Sequence, residues 1–145
     1  MMDIRPLSSD FAVLNRPLHP EDVADIAAGG YLRIINNRPD AEVPAADRGD
    51  AIAAACRAAG IDYVAVPFSH AQLTPQVIAD FAAAMGAPGP VLAYCRSGAR
   101  STTLWALAQA RAGLISVDQI LSAARAAGYD LDQHRPLLES LAGQG

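Results

Sequence analysis

The chain has 145 residues, 52% apolar and 18% charged, a size and balance that suggest one water-soluble domain over residues 1–145, able to bury a core without disulfides or a structural metal. Its net charge of −4, with no basic run, argues against a nucleic-acid partner. The start has no apolar signal core, and no apolar run reaches the roughly 18 residues that a membrane span needs. Two cysteines in unlike contexts, Cys56 and Cys95, are not a disulfide framework and point to a reducing, cytoplasmic setting.

In chain order, the apolar run Phe11–Leu14 predicts an edge strand. Pro20 stands where a helix can begin, with Val23, Ile26 and Ala27 on one face and Gly29-Gly30 as its stop. Tyr31–Asn36 reads as a strand, broken by Pro39-Asp40. Residues 41–49 read as a loop and Asp50–Ala59 as an alanine-rich helix closed by Gly60. Tyr63–Pro67 is a second core strand. Thr74-Pro75 pairs an N-cap with a proline at the first helical position, ahead of an apolar stripe at Val77, Ile78, Phe81 and Met85. Val91–Tyr94 is a short buried strand, and the helix after it includes Thr102–Ala112. Ser116 caps another helix, and a last one lies around Pro136–Leu141. The alternation predicts an α/β fold, a mostly parallel sheet of about four to five strands flanked by helices.

Ligands in such folds bind at the carboxyl ends of the strands, where Cys95 falls. The stretch from Tyr94 to Thr102 joins a buried strand to a helix N-terminus. Tight turning there points backbone N–H groups at a common centre, and the helix dipole adds to the same field. That favours the ionised thiolate of Cys95, a nucleophile able to carry a transferred group covalently. Gly98 supplies the backbone conformation that other residues resist. Arg100 offers a fork of donors to an oxyanion, and Ser101 a hydroxyl to the thiolate. Arg96, Ser97 and Ala99 complete the anion-binding loop through their backbone. Cys56, among alanines on a helix, reads as a core residue instead. Trp105 reads as core packing. His19 and His134 have no ligand spacing, so neither metal nor cofactor is expected.

The segment YCRSGARS, Tyr94–Ser101, resembles the active-site loop of rhodanese-type sulfurtransferases, whose cysteine carries sulfane sulfur as a persulfide. The start MDIRPL, the segment Ile34–Asp40 and Leu104-Trp105-Ala106 resemble the phosphatase-like domain of the beta-lactamase-hydrolase-like proteins. That resemblance spans roughly residues 2–130 and implies a dual-specificity-phosphatase-like fold, in a family whose members are called phosphatase-like or sulfur transferase. It also implies a metallo-hydrolase or dioxygenase partner. Tyrosine phosphatases place His before the cysteine and one residue more between cysteine and arginine. This chain has Tyr94 and only the four residues Arg96 to Ala99. A tighter ring suits a sulfane sulfur or small anion better than a phosphoryl group.

Three readings follow. The leading one is a sulfurtransferase forming a persulfide on Cys95, passing sulfur from a small sulfane-sulfur donor to a thiol acceptor. The alternative is a phosphomonoester hydrolase through a Cys95 phosphocysteine, which needs a general acid. The loop Phe68–Gln72 holds no carboxylate, leaving His70 and Asp40 as candidates. Solvated-loop and capping roles are their respective competitors. Arg38 is a pocket residue or a surface ion-pair partner. The third reading is a non-catalytic anion-binding module.

Overall fold

A computed structural model describes residues 2–143, the side chain of His70 excepted. Five strands form one sheet: β1 (Ile4–Ser8), β2 (Phe11–Leu14), β3 (Arg33–Asn36), β4 (Asp62–Ala65) and β5 (Val91–Tyr94), in the order β1-β2-β5-β3-β4. β2, β5, β3 and β4 run parallel, and β1 alone is antiparallel, on β2. The expected edge strand Phe11–Leu14 is therefore internal. The edge on that side is β1, which sequence reading did not mark as a strand. Its ladder is irregular between Pro6 and Ser8, as suits a proline, which has no N–H to give and is tolerated only at an edge.

The strand residues sort with period two between two layers. Phe11, Val13, Ile35, Val91 and Ala93 face one core, with α3 (Pro75–Ala84), α4 (Ala99–Ala112), α5 (Val117–Ala126) and α6 (Arg135–Ala142). Ala12, Leu14, Ile34, Leu92 and Tyr94 face the other, with α1 (Val23–Ala28) and α2 (Gly49–Ala59). Both faces of β5 are covered, which explains an unbroken apolar run where a half-exposed strand would alternate.

Local signals place the helix starts. Thr74 Oγ1 accepts the Val77 N–H at 3.2 Å, with Pro75 at the first helical position. Ser116 and Gln119 form a reciprocal capping box around the start of α5. The segment read as a loop at 41–49 overlaps two short 3-10 turns, Asp40–Glu42 and Ala45–Asp47, and its last residue, Gly49, already opens α2. α4 is the most enclosed helix. Trp105 on it is 1% exposed, in the core as expected.

Candidate active site

Because four strands are parallel, their carboxyl ends gather on one rim, and three chain segments meet there. Cys95 follows β5, Asn37 and Arg38 follow β3, and Phe68 lies beyond β4. Cys95 is 1% exposed. The chain turns through residues 95–98 and enters α4 at Ala99. Gly98 sits at φ +90° and donates its N–H to Cys95 Sγ at 3.2 Å. The N-cap of α4 thus gives its N–H to the sulfur, a contact that favours an anion there, while the Ala99 N–H, expected in the anion-binding loop, goes to Ser97 Oγ at 3.4 Å. A Cβ at Gly98 would lie 2.8 Å from the Leu14 carbonyl and against the Tyr129 ring, so both conformation and space require glycine. Arg96, Ser97 and Ala99 are exposed.

The loop is clamped from outside. The Tyr129 hydroxyl, beyond α5, lies 2.8 Å from the Ser97 carbonyl and 2.8 Å from Asn15 Oδ1, one hydrogen serving two acceptors. Within the loop, Thr102 donates both its N–H and its Oγ1 hydrogen to the Gly98 carbonyl. Tyr94, where tyrosine phosphatases carry His, is buried in the α1/α2 layer.

Ser101 departs from expectation. Its hydroxyl donates to Asn37 Oδ1 at 2.7 Å and not to the sulfur. The Asn37 amide in turn donates to the Val66 carbonyl at 2.8 Å. Both side chains are fully buried, so the pair joins the first turn of α4 to the ends of β3 and β4. Asp40 also serves structure: its Oδ1 accepts the Gly49 N–H at 2.9 Å, at the start of α2. The capping role is the one observed for this candidate acid. The side chain of His70, the other candidate, lies outside the described residues.

Arg100 faces the cleft. Its Nη1 donates to the Phe68 carbonyl at 3.2 Å and to Glu42 Oε2 at 3.1 Å, and its Nη2 donates to Glu42 Oε1. Arg38 joins the same carboxylate through Nε at 3.2 Å, with its side chain only 10% exposed. Arg38, Glu42, Pro44, Arg96 and Arg100 line an open cleft of about 440 Å³. The Arg100 guanidinium, supported by Arg38, holds the Glu42 carboxyl below the usual carboxylate range. Three guanidiniums against one carboxylate give the cleft a net charge of +2 on a chain whose net charge is −4. Cys56 is the contrast: it is enclosed on α2, and desolvation pushes its thiol up to about 11.

Residues 3–112 match the family model "Beta-lactamase hydrolase-like protein, phosphatase-like domain". The chain belongs to this family. A beta-lactamase hydrolase-like protein of Xylella fastidiosa (strain 9a5c) is 34% identical over 144 residues, covering 99% of this chain and 33% of the relative. The chain thus spans about a third of the length of the curated relatives it matches. A Neisseria meningitidis Z2491 protein described as a candidate phosphatase superposes with a TM-score of 0.82 at 31% identity, covering 97% of this chain and 99% of that one. Tk-PTP in its active form gives a TM-score of 0.71 at 15% identity over 99% of this chain and 98% of that one, a likeness of fold alone. The family model and the Neisseria neighbour favour the phosphatase-like alternative over the sulfurtransferase reading.

In this phosphatase-like domain, sequence reasoning missed three residues that contact Ser97, Arg100 and Ser101. Glu42 stood in the stretch read as a loop, although its spacing of four from Arg38 was a visible sign of an ion pair. Asn37 sat beside Arg38 without a local clue to its distant partner. Tyr129 had none, because its contacts cross 32 and 114 positions. The arrangement offers a sulfur that accepts a backbone N–H, a guanidinium fork beside it, and a positive cleft open to solvent.

Proposed function

We propose that the chain hydrolyses phosphomonoesters through a Cys95 phosphocysteine. The observation that carries this reading is the Gly98 N–H on Cys95 Sγ at the head of α4, beside a cleft into which Arg100 turns its fork. In the first step the Cys95 thiolate attacks phosphorus, the bond to the ester oxygen breaks, and that oxygen leaves as an anion that takes its proton from solvent water. Water then attacks the phosphocysteine, the P–S bond breaks, and inorganic phosphate departs while the thiolate is restored. Arg100 and the amides of the loop hold the equatorial oxygens, so their role is to stabilise charge already in place. Ser101 acts as a positioning residue through Asn37. The likeness to phosphatase folds supports the reading.

The test is turnover of an aryl phosphate by the wild-type chain, with loss of turnover in Cys95→Ser. Trapping of a phosphorylated Cys95 by mass spectrometry identifies the intermediate. Absence of hydrolysis by the wild type would refute the proposal.

Sulfur transfer stands as a second reading because of one observation. Only four residues separate Cys95 from Arg100, and a tighter ring suits a single sulfur atom. After incubation with thiosulfate, a sulfur adduct on Cys95, absent from Cys95→Ser, identifies this chemistry. In the relatives about two thirds of the length lies outside the matched region, and a metallo-hydrolase or dioxygenase acting beside this domain is part of the proposal.

A further inference from the structure

We propose that Glu42 is the specificity-determining residue of this cleft: a resident carboxylate on Arg100 that an incoming oxyanion must replace. The inference rests on the phosphomonoester reading and names the charge class of substrate that the site admits.

The guanidinium fork of Arg100 is occupied. Both its Nη atoms bond the two oxygens of Glu42, a bidentate arrangement of the kind a phosphoryl group would adopt. Arg38 holds the same carboxylate from a second side through Nε to Oε1, and its Nη2 donates to the Glu42 backbone carbonyl. Glu42 therefore stands where the equatorial oxygens of a substrate would be received.

The surroundings allow exchange without refolding. Asp40, two residues earlier, is fixed to the start of α2 by the Gly49 N–H, and the Val43 N–H closes the short turn on the Asp40 carbonyl. The backbone around Glu42 is thus pinned, while its side chain is 37% exposed, so that a carboxylate released by the arginines has solvent to turn into. Arg100 also donates to the Phe68 carbonyl, so its guanidinium keeps its place when the carboxylate leaves. The fork is preformed and only its occupant changes.

This exchange sorts anions by charge. A monoanion that displaces Glu42 substitutes one negative charge for another, and the displaced carboxylate stays nearby to repel it. A dianionic phosphoryl group brings a second charge to a cleft that carries Arg38, Arg96 and Arg100, and so outcompetes the resident. Glu42 thereby selects dianionic phosphomonoesters over carboxylates and other single charges.

The test is a titration of the wild type, Glu42→Gln and Glu42→Ala with inorganic phosphate and with formate. It is followed by the amide resonances of residues 96–100, which also report that each variant is folded. Expected is a roughly five-fold tighter phosphate affinity in both variants, the scale of one released exposed ion pair. Formate binding should be measurable in the variants alone. Equal phosphate affinity in all three proteins overturns the inference and leaves the hydrolase reading to be judged by aryl phosphate turnover. Failure of phosphate to move these resonances in any protein overturns the anion site and this inference with it. Tighter binding in the variants with no turnover by the wild type supports the exchange and removes the hydrolase reading alone.

Discussion

Replacing Gly98 by alanine tests the loop geometry directly. Gly98 adopts φ +90°, and an L-residue in that left-handed region costs about 1–2 kcal/mol. The new Cβ would lie 2.8 Å from the Leu14 carbonyl and closer still to the Tyr129 hydroxyl. Something must move, and the tyrosine clamp is the softer of the two. Losing its bond to the Ser97 carbonyl adds about 1 kcal/mol. The expected destabilisation is about 2–3 kcal/mol, which for a chain of this size lowers Tm by roughly 5–10 °C. Calorimetry of wild type and Gly98→Ala measures it. The amide displaced is the one that donates to Cys95 Sγ, so aryl phosphate turnover should fall beyond what the loss of folded protein explains, measured well below Tm. A melting point within about 1 °C of wild type would refute the reasoning, because neither strain nor clash could then be present.

Two further outcomes follow from buried groups. Ser101→Ala leaves the Asn37 Oδ1 atom buried without its donor, and should cost about 1–3 kcal/mol in urea unfolding. Because the hydroxyl bonds Asn37 and not the sulfur, the pH profile of Cys95 alkylation should be unchanged in that variant; a shifted profile would restore Ser101 to the thiolate. Cys56 provides a pH dependence. Its folded-state thiol is pushed up to about 11 by desolvation, while a free thiol ionises near 8.5. A raised folded pKa gives stability that is complete below the unfolded value and is lost as pH rises toward the folded one. Unfolding free energy should therefore fall between about pH 8.5 and pH 11, and fall less steeply in Cys56→Ala over the same range.

Legibility in the sequence followed the distance over which each residue is determined. β5 was read with its observed ends because Val91–Tyr94 is apolar throughout and bounded by Pro90 and the loop. Thr74-Pro75 and Ser116 were read correctly because a cap is settled within three residues. Phe11–Leu14 was misplaced to the edge because edge position depends on whether another strand pairs with it, and β1 carries a proline that weakens its strand signal. At the site, the sequence put Cys95, Gly98 and Arg100 on one strand-to-helix loop, and the structure brings them together there. The partner of Ser101 was not legible, since Asn37 lies 64 positions away. Glu42 was passed over although Asp40 in the same turn after β3 was weighed, because its contact with Arg100 crosses 58 positions and leaves no local sign.

The tyrosine clamp has a consequence for engineering. Tyr129 lies beyond Ala112, where the family match stops, yet it fastens the Ser97 carbonyl. The curvature of the octapeptide around the sulfur is thus imposed partly by a side chain from a distant stretch of polypeptide. Transplanting those eight residues alone onto another strand–helix junction would carry the nucleophile without its brace, and the graft should be floppier and less reactive than the parent.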